Sequence, residues 1–151
     1  MTATVSACGA RTSFYVDACF PQGEIQLLGP IKMQCIGSLR YYYAGLGSGN
    51  VVPKVASNGV GKAVLEYDPA TRRLSGRASF SGLTATAVHI HEGAVGANGA
   101  IAVSLSTGAS PLAMDGILTE AQATTLAASG FYLDVHTDAN AAREIRGQLT
   151  P

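Results

Sequence analysis

The sequence predicts an all-β protein. Eighteen glycines divide the chain into short segments, and many of these segments alternate β-branched or apolar residues with polar ones, which is the pattern of strands joined by turns. No run approaches the roughly 20 apolar residues needed to span a bilayer as a helix, so no transmembrane segment is predicted. At 151 residues the chain is long enough for one domain with its own core.

The first part of the chain, residues 1–45, is predicted to be a β extension to the main domain, which would occupy residues 46–151. This extension contains all three cysteines and few charged residues. Apolar runs bounded by turn residues such as Pro21 and Gly29 predict four strands in it. These runs are Thr12–Phe20, Glu24–Leu28, Ile31–Ile36 and Leu39–Ala44.

The cysteines Cys8, Cys19 and Cys35 cannot all pair within one chain. Any two of them are candidates for an internal disulfide, and the spacing does not decide which two. The odd cysteine could then bond to a neighbouring copy, while the alternative is three buried thiols that act as small apolar side chains. The chain has no C-x-x-C pair, so a zinc ribbon or a redox motif is not predicted.

Tyr41, Tyr42 and Tyr43 follow one another in a predicted strand. Because successive side chains of a strand point to opposite faces, at least one ring must lie outside the core of a single domain. Tyrosine is enriched at protein interfaces, so these residues are candidates for a contact between subunits. The alternative is a tyrosine that covers a loop of its own chain.

The second part of the chain alternates between predicted strands and turns. A hairpin is expected from Val60–Tyr67 and Leu74–Phe80, joined by a turn that begins at Asp68 and Pro69. A helix near residues 119–129 is predicted by a capping box of Thr119 and Gln122 and by the stop at Gly130. The remaining predicted strands are Ala87–His91, Ile101–Leu105, Phe131–Thr137 and Arg143–Leu149.

The histidines are the candidate functional residues. His89 and His91 are separated by one residue in a strand, so they share one face, about 7 Å apart, while Val88 and Ile90 point the other way. His136 lies in a second alternating strand, on the same face as Asp134. Together His89, His91 and His136 could offer three nitrogens to copper or zinc, with Asp134, Glu92 or water completing the shell. The alternative is a histidine pair hydrogen-bonded to Glu144 or Asp134 that holds the strands in register.

An ordered series of short motifs resembles the chordin-type (CHRD) domain over roughly residues 41–150. The series consists of Val51-Val52-Pro53, Asp68–Thr71, Phe80–Leu83, Ala87–His91, Asn98-Gly99, Leu118–Gln122, Tyr132–Thr137 and Glu144–Leu149. The resemblance implies an antiparallel β-sandwich with Greek-key-like connections, without an established enzymatic activity, in secreted or surface-attached proteins. The strand with His89 and His91 is also faintly similar to the copper strand of copper–zinc superoxide dismutases, but three histidines are too few for that enzyme's two metal sites.

The first functional expectation is a structural subunit that assembles with copies of itself through the N-terminal extension. Zero net charge with 47% apolar residues gives little repulsion between copies. Such a scaffold could belong to an extracellular filament, a surface layer or a virus particle. The segment Met1–Cys8 shows no secretory signal, which leaves the route of export open. The second expectation is a metal-binding module built on the three histidines.

Two further classes of function are not predicted. A balanced charge provides no basic surface for nucleic acid. The chain contains no G-x-S-x-G elbow, no Walker loop and no H-E-x-x-H motif, so catalysis is not predicted. Glu144 and Arg146, two residues apart on the last strand, are expected to form an ion-pair network rather than an acid–base pair.

Overall fold

The computed structural model describes residues 3–7, 10–14, 39–105 and 109–151 of the chain. The chain divides into two compact units, Met1–Gly37 and Ser38–Pro151. In the first unit, strand β1 (Ala3–Ala7) pairs with strand β2 (Ala10–Phe14) as an antiparallel ribbon. The prediction of strand Thr12–Phe20 overlaps β2. Its remainder, the two strands predicted between Glu24 and Ile36, and Cys8, Cys19 and Cys35 lie outside the described residues.

The described residues of the second unit form eight strands and one α-helix. The strands form a single antiparallel sheet in the spatial order β7-β6-β9-β10-β3-β4-β5-β8. They are β3 (Arg40–Gly47), β4 (Val60–Asp68), β5 (Arg73–Ser81), β6 (Ala87–Glu92), β7 (Ala100–Leu105), β8 (Leu112–Ile117), β9 (Phe131–His136) and β10 (Ile145–Gln148). A short 3-10 turn at Ser48–Asn50 follows β3.

This sheet curls until its two edge strands approach each other. Gly116 of β8 lies so close to Val103 of β7 that a Cβ at this glycine would stand 3.1 Å from Val103 Cγ1. The sheet therefore surrounds one core as two facing layers, close to a barrel. The predicted fold class is confirmed: the unit is all-β and antiparallel, with one short helix.

The core consists of the inward side chains of this curled sheet. Alternation is clear in β3, where Tyr42, Ala44 and Leu46 are buried. Tyr41 and Tyr43 lie on the opposite face and keep 47% and 50% of their surface exposed. The prediction that the three rings could not all be buried is confirmed, since two of them remain outside the core.

Helix α1 (Glu120–Ala127) connects β8 to β9. Thr119 and Gln122 form the predicted capping box: the Thr119 hydroxyl accepts from the Gln122 backbone N–H, and the Gln122 side chain accepts from the Thr119 N–H. Leu126 is fully buried in the core. Among the described residues no helix combines the length and apolarity needed to cross a membrane.

The structure differs from the sequence prediction at two points. Strand β8 was not predicted, although Leu112 and Met114 alternate with exposed residues as in the other strands. The expected ion-pair network of Glu144 and Arg146 is wrong for the described residues. Glu144 accepts hydrogen bonds from neutral groups on three neighbouring side chains, namely Ser57, Thr137 and Asn140.

Candidate metal centre

Pairing of β6 with β9 brings the three histidines together. Within this pair His89 lies directly opposite Asp134, His91 opposite Tyr132, and Ala87 opposite His136. Every second side chain of these two strands points away from the core. The residues between them occupy the core side, namely Val88, Ile90, Leu133 and Val135. The register therefore places four polar side chains on one face of two neighbouring strands, within three successive outward-facing pairs of residues.

The nitrogen and oxygen atoms of this patch converge. His89 Nδ1 lies 3.0 Å from His136 Nε2. Asp134 Oδ1 lies 3.1 Å from His136 Nε2 and 3.2 Å from His91 Nε2. One donor atom from each of His89, His91, Asp134 and His136 lies within 4.8 Å of all the others, so these residues could hold a metal ion.

Two backbone carbonyls fix which ring nitrogens face the cluster. His91 Nδ1 lies 2.9 Å from the Gly99 carbonyl oxygen, and His136 Nδ1 lies 2.9 Å from that of Ala141. A carbonyl can only accept, so both Nδ1 atoms must carry the hydrogen. In the neutral rings each Nε2 then presents a lone pair to the centre of the cluster. Metal-binding histidines use this arrangement, in which the ring nitrogen that does not bind the metal donates a hydrogen bond to a carbonyl or carboxylate.

A glycine is required for one of these carbonyls to reach its histidine. The loop between β6 and β7 returns so closely that a Cβ on Gly99 would stand 1.6 Å from the Glu92 carbonyl oxygen. Only a residue without a side chain fits that approach. The glycine-rich sequence after Glu92 therefore allows the loop to fold over the strand and to orient the His91 ring.

The centre of the cluster contains more acceptors than donors. The Asp134 carboxylate faces Nε2 of both His91 and His136, and both nitrogens present lone pairs when the rings are neutral. His91 Nε2 is buried without a hydrogen-bond partner among the described residues, because its approach to Asp134 has the distance but not the direction of a hydrogen bond. A cation or an added proton relieves this repulsion.

Arg143 supports Asp134 from outside the cluster. Its Nε donates to Asp134 Oδ2 at 2.6 Å, and the carboxylate is fully buried. Burial alone would raise the pKa of Asp134, but the contacts with His136 and His91 outweigh it and hold that pKa well below its usual range. Asp134 is therefore an anion at neutral pH, with Oδ1 directed to the histidines and Oδ2 to the arginine.

The two accessible histidines have opposite pKa shifts. The hydrogen bond with Asp134 raises the pKa of His136, against an opposing effect of burial. Burial lowers the pKa of His89, and the neighbouring His136 lowers it further. In the metal-free cluster a proton is therefore held preferentially at His136, between the carboxylate and His89. A bound metal ion would replace that proton, which makes metal affinity depend on pH.

The spacing of the four donor atoms suits a small divalent ion. Tetrahedral zinc with bonds of about 2.0–2.1 Å separates its ligand atoms by roughly 3.3 Å. Three of the separations within the cluster, of 3.0–3.2 Å, lie close to this value, and the four donor atoms all lie within 4.8 Å of one another. Imidazole nitrogen and carboxylate oxygen together suit zinc and copper better than magnesium or calcium, which prefer oxygen alone.

Tyr132 forms one wall of the site. Its ring stacks on the His91 imidazole, with centroids 4.9 Å apart and planes within 3° of parallel. The guanidinium carbon of Arg146 lies 3.5 Å from the centroid of the same ring. Because β6 and β10 flank β9 on opposite sides, the imidazole and the guanidinium lie on opposite faces of the tyrosine.

The sequence identified the three histidines and named Asp134 among the candidates for a fourth ligand. The other candidate, Glu92, accepts from Thr125 Oγ1 of α1 at 2.9 Å and is not part of the cluster. Glu144 does not contact the histidines either. Sequence reasoning missed Tyr132 and Arg143 as site residues. Tyr132 could have been found, since it shares the alternation of Asp134 and His136. Arg143 is predicted to begin the last strand, but it lies before β10, in the turn that follows β9.

The comparisons with known proteins agree with the resemblance seen in the sequence. A family model described as the CHRD domain matches residues 42–149. No curated protein and no solved structure matched the chain, and the faint likeness to copper–zinc superoxide dismutases received no support. The matched region begins in β3, ends just after β10 and contains the whole histidine cluster. The chain belongs to the CHRD domain family.

Proposed function

We propose that this protein is a metal-binding module that holds one copper or zinc ion between His89, His91, Asp134 and His136. The single observation that carries the proposal is the convergence of lone pairs. Two backbone carbonyls force Nε2 of His91 and His136 inward, where both meet the buried carboxylate of Asp134. A divalent cation is the simplest partner for such a group of acceptors.

The ion would be partly accessible. His91 and Asp134 are buried, whereas His136 retains 13% of its side-chain surface and His89 is half-buried. The site therefore opens on the side of His89 and His136, and water could complete the coordination there. We propose a binding role rather than a catalytic one, since the sequence contains no G-x-S-x-G elbow, no Walker loop and no H-E-x-x-H motif.

Metal content provides the test. Chelator-treated protein would be reloaded with zinc or copper, desalted and analysed for metal, and we expect about one ion per chain. The His91→Ala variant should lose most of this ion. Glu92→Gln is the matched control, because it changes the next residue on the same strand and leaves the four donors intact.

The N-terminal cysteines require a second control, because thiolates also bind zinc and copper. A full-length variant with serine at positions 8, 19 and 35 should retain the ion. The proposal would be refuted if stoichiometric metal survived His91→Ala, or if the serine variant lost the metal that the histidine variant kept.

A second function, self-assembly, is supported by the exposed rings of β3. Tyr43 lies directly opposite Val64 of β4, and 50% and 44% of these residues remain exposed beside Tyr41. We propose that this face contacts a second copy of the chain, together with the N-terminal extension, in an extracellular or surface-attached scaffold. Exposed aromatic residues suit such a contact, and the zero net charge of the chain gives little repulsion between copies.

Particle mass under reducing and non-reducing conditions tests the assembly. We expect a multimer at working concentration, and a larger covalent species without reductant if the odd cysteine joins two copies. The double variant Tyr41→Ser with Tyr43→Ser should shift the distribution towards monomers. A protein that is fully monomeric in both conditions would exclude this function and leave the metal proposal untouched.

A further inference from the structure

Arg146 is a buried cation without a carboxylate partner. It is only 2% exposed, and its guanidinium donates to three neutral oxygens: Asn98 Oδ1 at 3.3 Å, the Ala94 carbonyl at 3.1 Å and Gln148 Oε1 at 3.5 Å. No salt bridge to Arg146 occurs among the described residues. A guanidinium remains protonated in proteins, and a buried charge without a counterion is costly.

The tyrosine beneath Arg146 compensates only part of this cost. The guanidinium carbon lies 3.5 Å from the centroid of the Tyr132 ring, which is cation–π geometry. The ring packs against one face of the planar guanidinium, and the three neutral acceptors hold its N–H groups in a fixed direction. The group is thus rigidly held and directed. Asp134, opposite Arg146 on β9, acts on it electrostatically, but among the described residues no carboxylate lies within salt-bridge distance of the guanidinium.

Arg146 lines a cavity that reaches the surface. The cavity has a volume of about 620 Å³ and is bounded by Gln148, by the 3-10 turn after β3 and by the β6–β7 loop. Its walls include the apolar residues Val51, Val52, Pro53 and Val95, while Lys54 provides a second cation at the exposed rim. None of its lining residues is Asp or Glu. This size is within the range of small-molecule sites.

We propose that this cavity binds an organic carboxylate with an apolar body. The carboxylate would pair with the fixed guanidinium of Arg146, with Lys54 attracting it at the rim, and the apolar part would contact the valines and the proline. Arginine suits this ligand because its charge is permanent and its N–H groups form strong, charge-assisted hydrogen bonds with a carboxylate. The same chemistry is offered by a free organic acid and by the terminal carboxylate of a peptide.

The site is distinct from the proposed metal centre. Arg146 lies opposite Asp134 in the register of β9 and β10, but its guanidinium forms no salt bridge with that carboxylate, and none of the four metal donors lines the cavity. The proposal for the cavity therefore does not depend on whether the histidines bind metal.

A matched pair of ligands tests the role of charge. Hexanoate and hexanamide have nearly the same shape and differ in charge, so their binding to the full-length protein can be compared by titration of backbone amide NMR signals. We expect hexanoate to cause saturable shifts at Val51, Gly96 and Gln148, and hexanamide to bind at least about tenfold more weakly. Equal binding of the two ligands, or no saturable shift up to about 10 mM hexanoate, would overturn the proposal.

A matched pair of variants tests the location. Val95 is 78% exposed at the cavity wall, so its replacement should not disturb folding. Val95→Asp places a carboxylate near the ligand and should weaken hexanoate binding about fivefold or more by repulsion, whereas the uncharged Val95→Asn should stay within about twofold of the wild type. Equal affinity for hexanoate in these two variants would mean that the ligand binds outside this cavity. Metal content should be unchanged in both, which separates this test from that of the histidine cluster.

Two further ligands distinguish the source of the carboxylate. A short peptide ending in a free leucine carboxylate would be compared with its amidated form, and inorganic phosphate would be added as an anion without an apolar body. Rejection of the amidated peptide and weak binding of phosphate support a carboxylate site and show whether it accepts a peptide terminus. Phosphate that binds as tightly as hexanoate would contradict the assignment of an apolar carboxylate.

Discussion

Replacing Asp134 with Asn tests the electrostatics of the histidine cluster in the metal-free protein. The substitution keeps the shape of the side chain and removes its charge. Asp134 is fully buried, and its partner Arg143 keeps only 14% of its side-chain surface exposed. Loss of one partner from a buried ion pair typically costs 3–5 kcal/mol, and we expect about 3 kcal/mol because the amide oxygen can still accept from Arg143.

Urea unfolding in the presence of a chelator measures this cost. With a slope of about 2 kcal/mol per molar urea, a loss of about 3 kcal/mol lowers the unfolding midpoint by roughly 1.5 M. Asp115→Asn is the matched control, since it breaks a similar pair with Arg73 at 2.7 Å, where both side chains are more than half exposed. Exposed ion pairs contribute little, so the control midpoint should barely change. Equal shifts in the two variants would refute the argument from burial.

The pH dependence gives a second check on the same variant. The folded pKa of Asp134 is depressed, so its stabilisation is present above the unfolded pKa of about 4 and is lost as pH falls through the lower folded value. The folded pKa of His136 is raised, so its stabilisation is present below about 6.5 and is lost as pH rises through the higher folded value. The free energy of unfolding of the wild type should therefore decrease below about pH 4 and again above about pH 6.5. Both decreases should be smaller in Asp134→Asn. If the pH dependence of stability were the same in Asp134→Asn and the wild type, the interaction of Asp134 with His136 would not couple folding to proton binding.

Three further substitutions test separate elements of the structure. Thr119→Ala removes the capping box of α1 and should cost about 1 kcal/mol in urea unfolding, with no change in metal content. Leu126→Ala empties a fully buried position under the same helix and should cost about 2–5 kcal/mol; a smaller loss would mean that the helix does not anchor the core. Gly99→Ala forces the loop away from the Glu92 carbonyl and removes the acceptor of His91, so metal affinity should fall about 10–100-fold in a competition titration, and unchanged affinity would contradict the role of that carbonyl.

Alternation in the sequence was sufficient to assign faces to side chains. It placed His89 and His91 opposite Val88 and Ile90, and the structure shows the same division because a strand has a strict period of two. The capping box of α1 was equally readable, since its hydrogen bonds join residues three positions apart. Both predictions depend on geometry within one short segment.

Features that depend on contacts between distant segments could not be predicted from the sequence. The pairing of Glu144 with neutral side chains rather than with Arg146 arises because Ser57, 87 residues away in sequence, reaches its carboxylate. Likewise, Arg143 became a partner of Asp134 only through the path of the turn between β9 and β10. Strand β8, by contrast, carries the same local alternation as the predicted strands, so its position did not depend on distant contacts.

The amino-acid sequence by itself determined the all-β class, the family, and the face on which each histidine lies. Only the tertiary structure decided that β6 and β9 are neighbours, with His89 opposite Asp134 and close to His136, which lies 47 positions further along the chain. It also decided that the carbonyls of Gly99 and Ala141 turn two lone pairs inward. The physical reason is that alternation is local to a strand, whereas the register of a sheet and the reach of its loops depend on packing across the whole core.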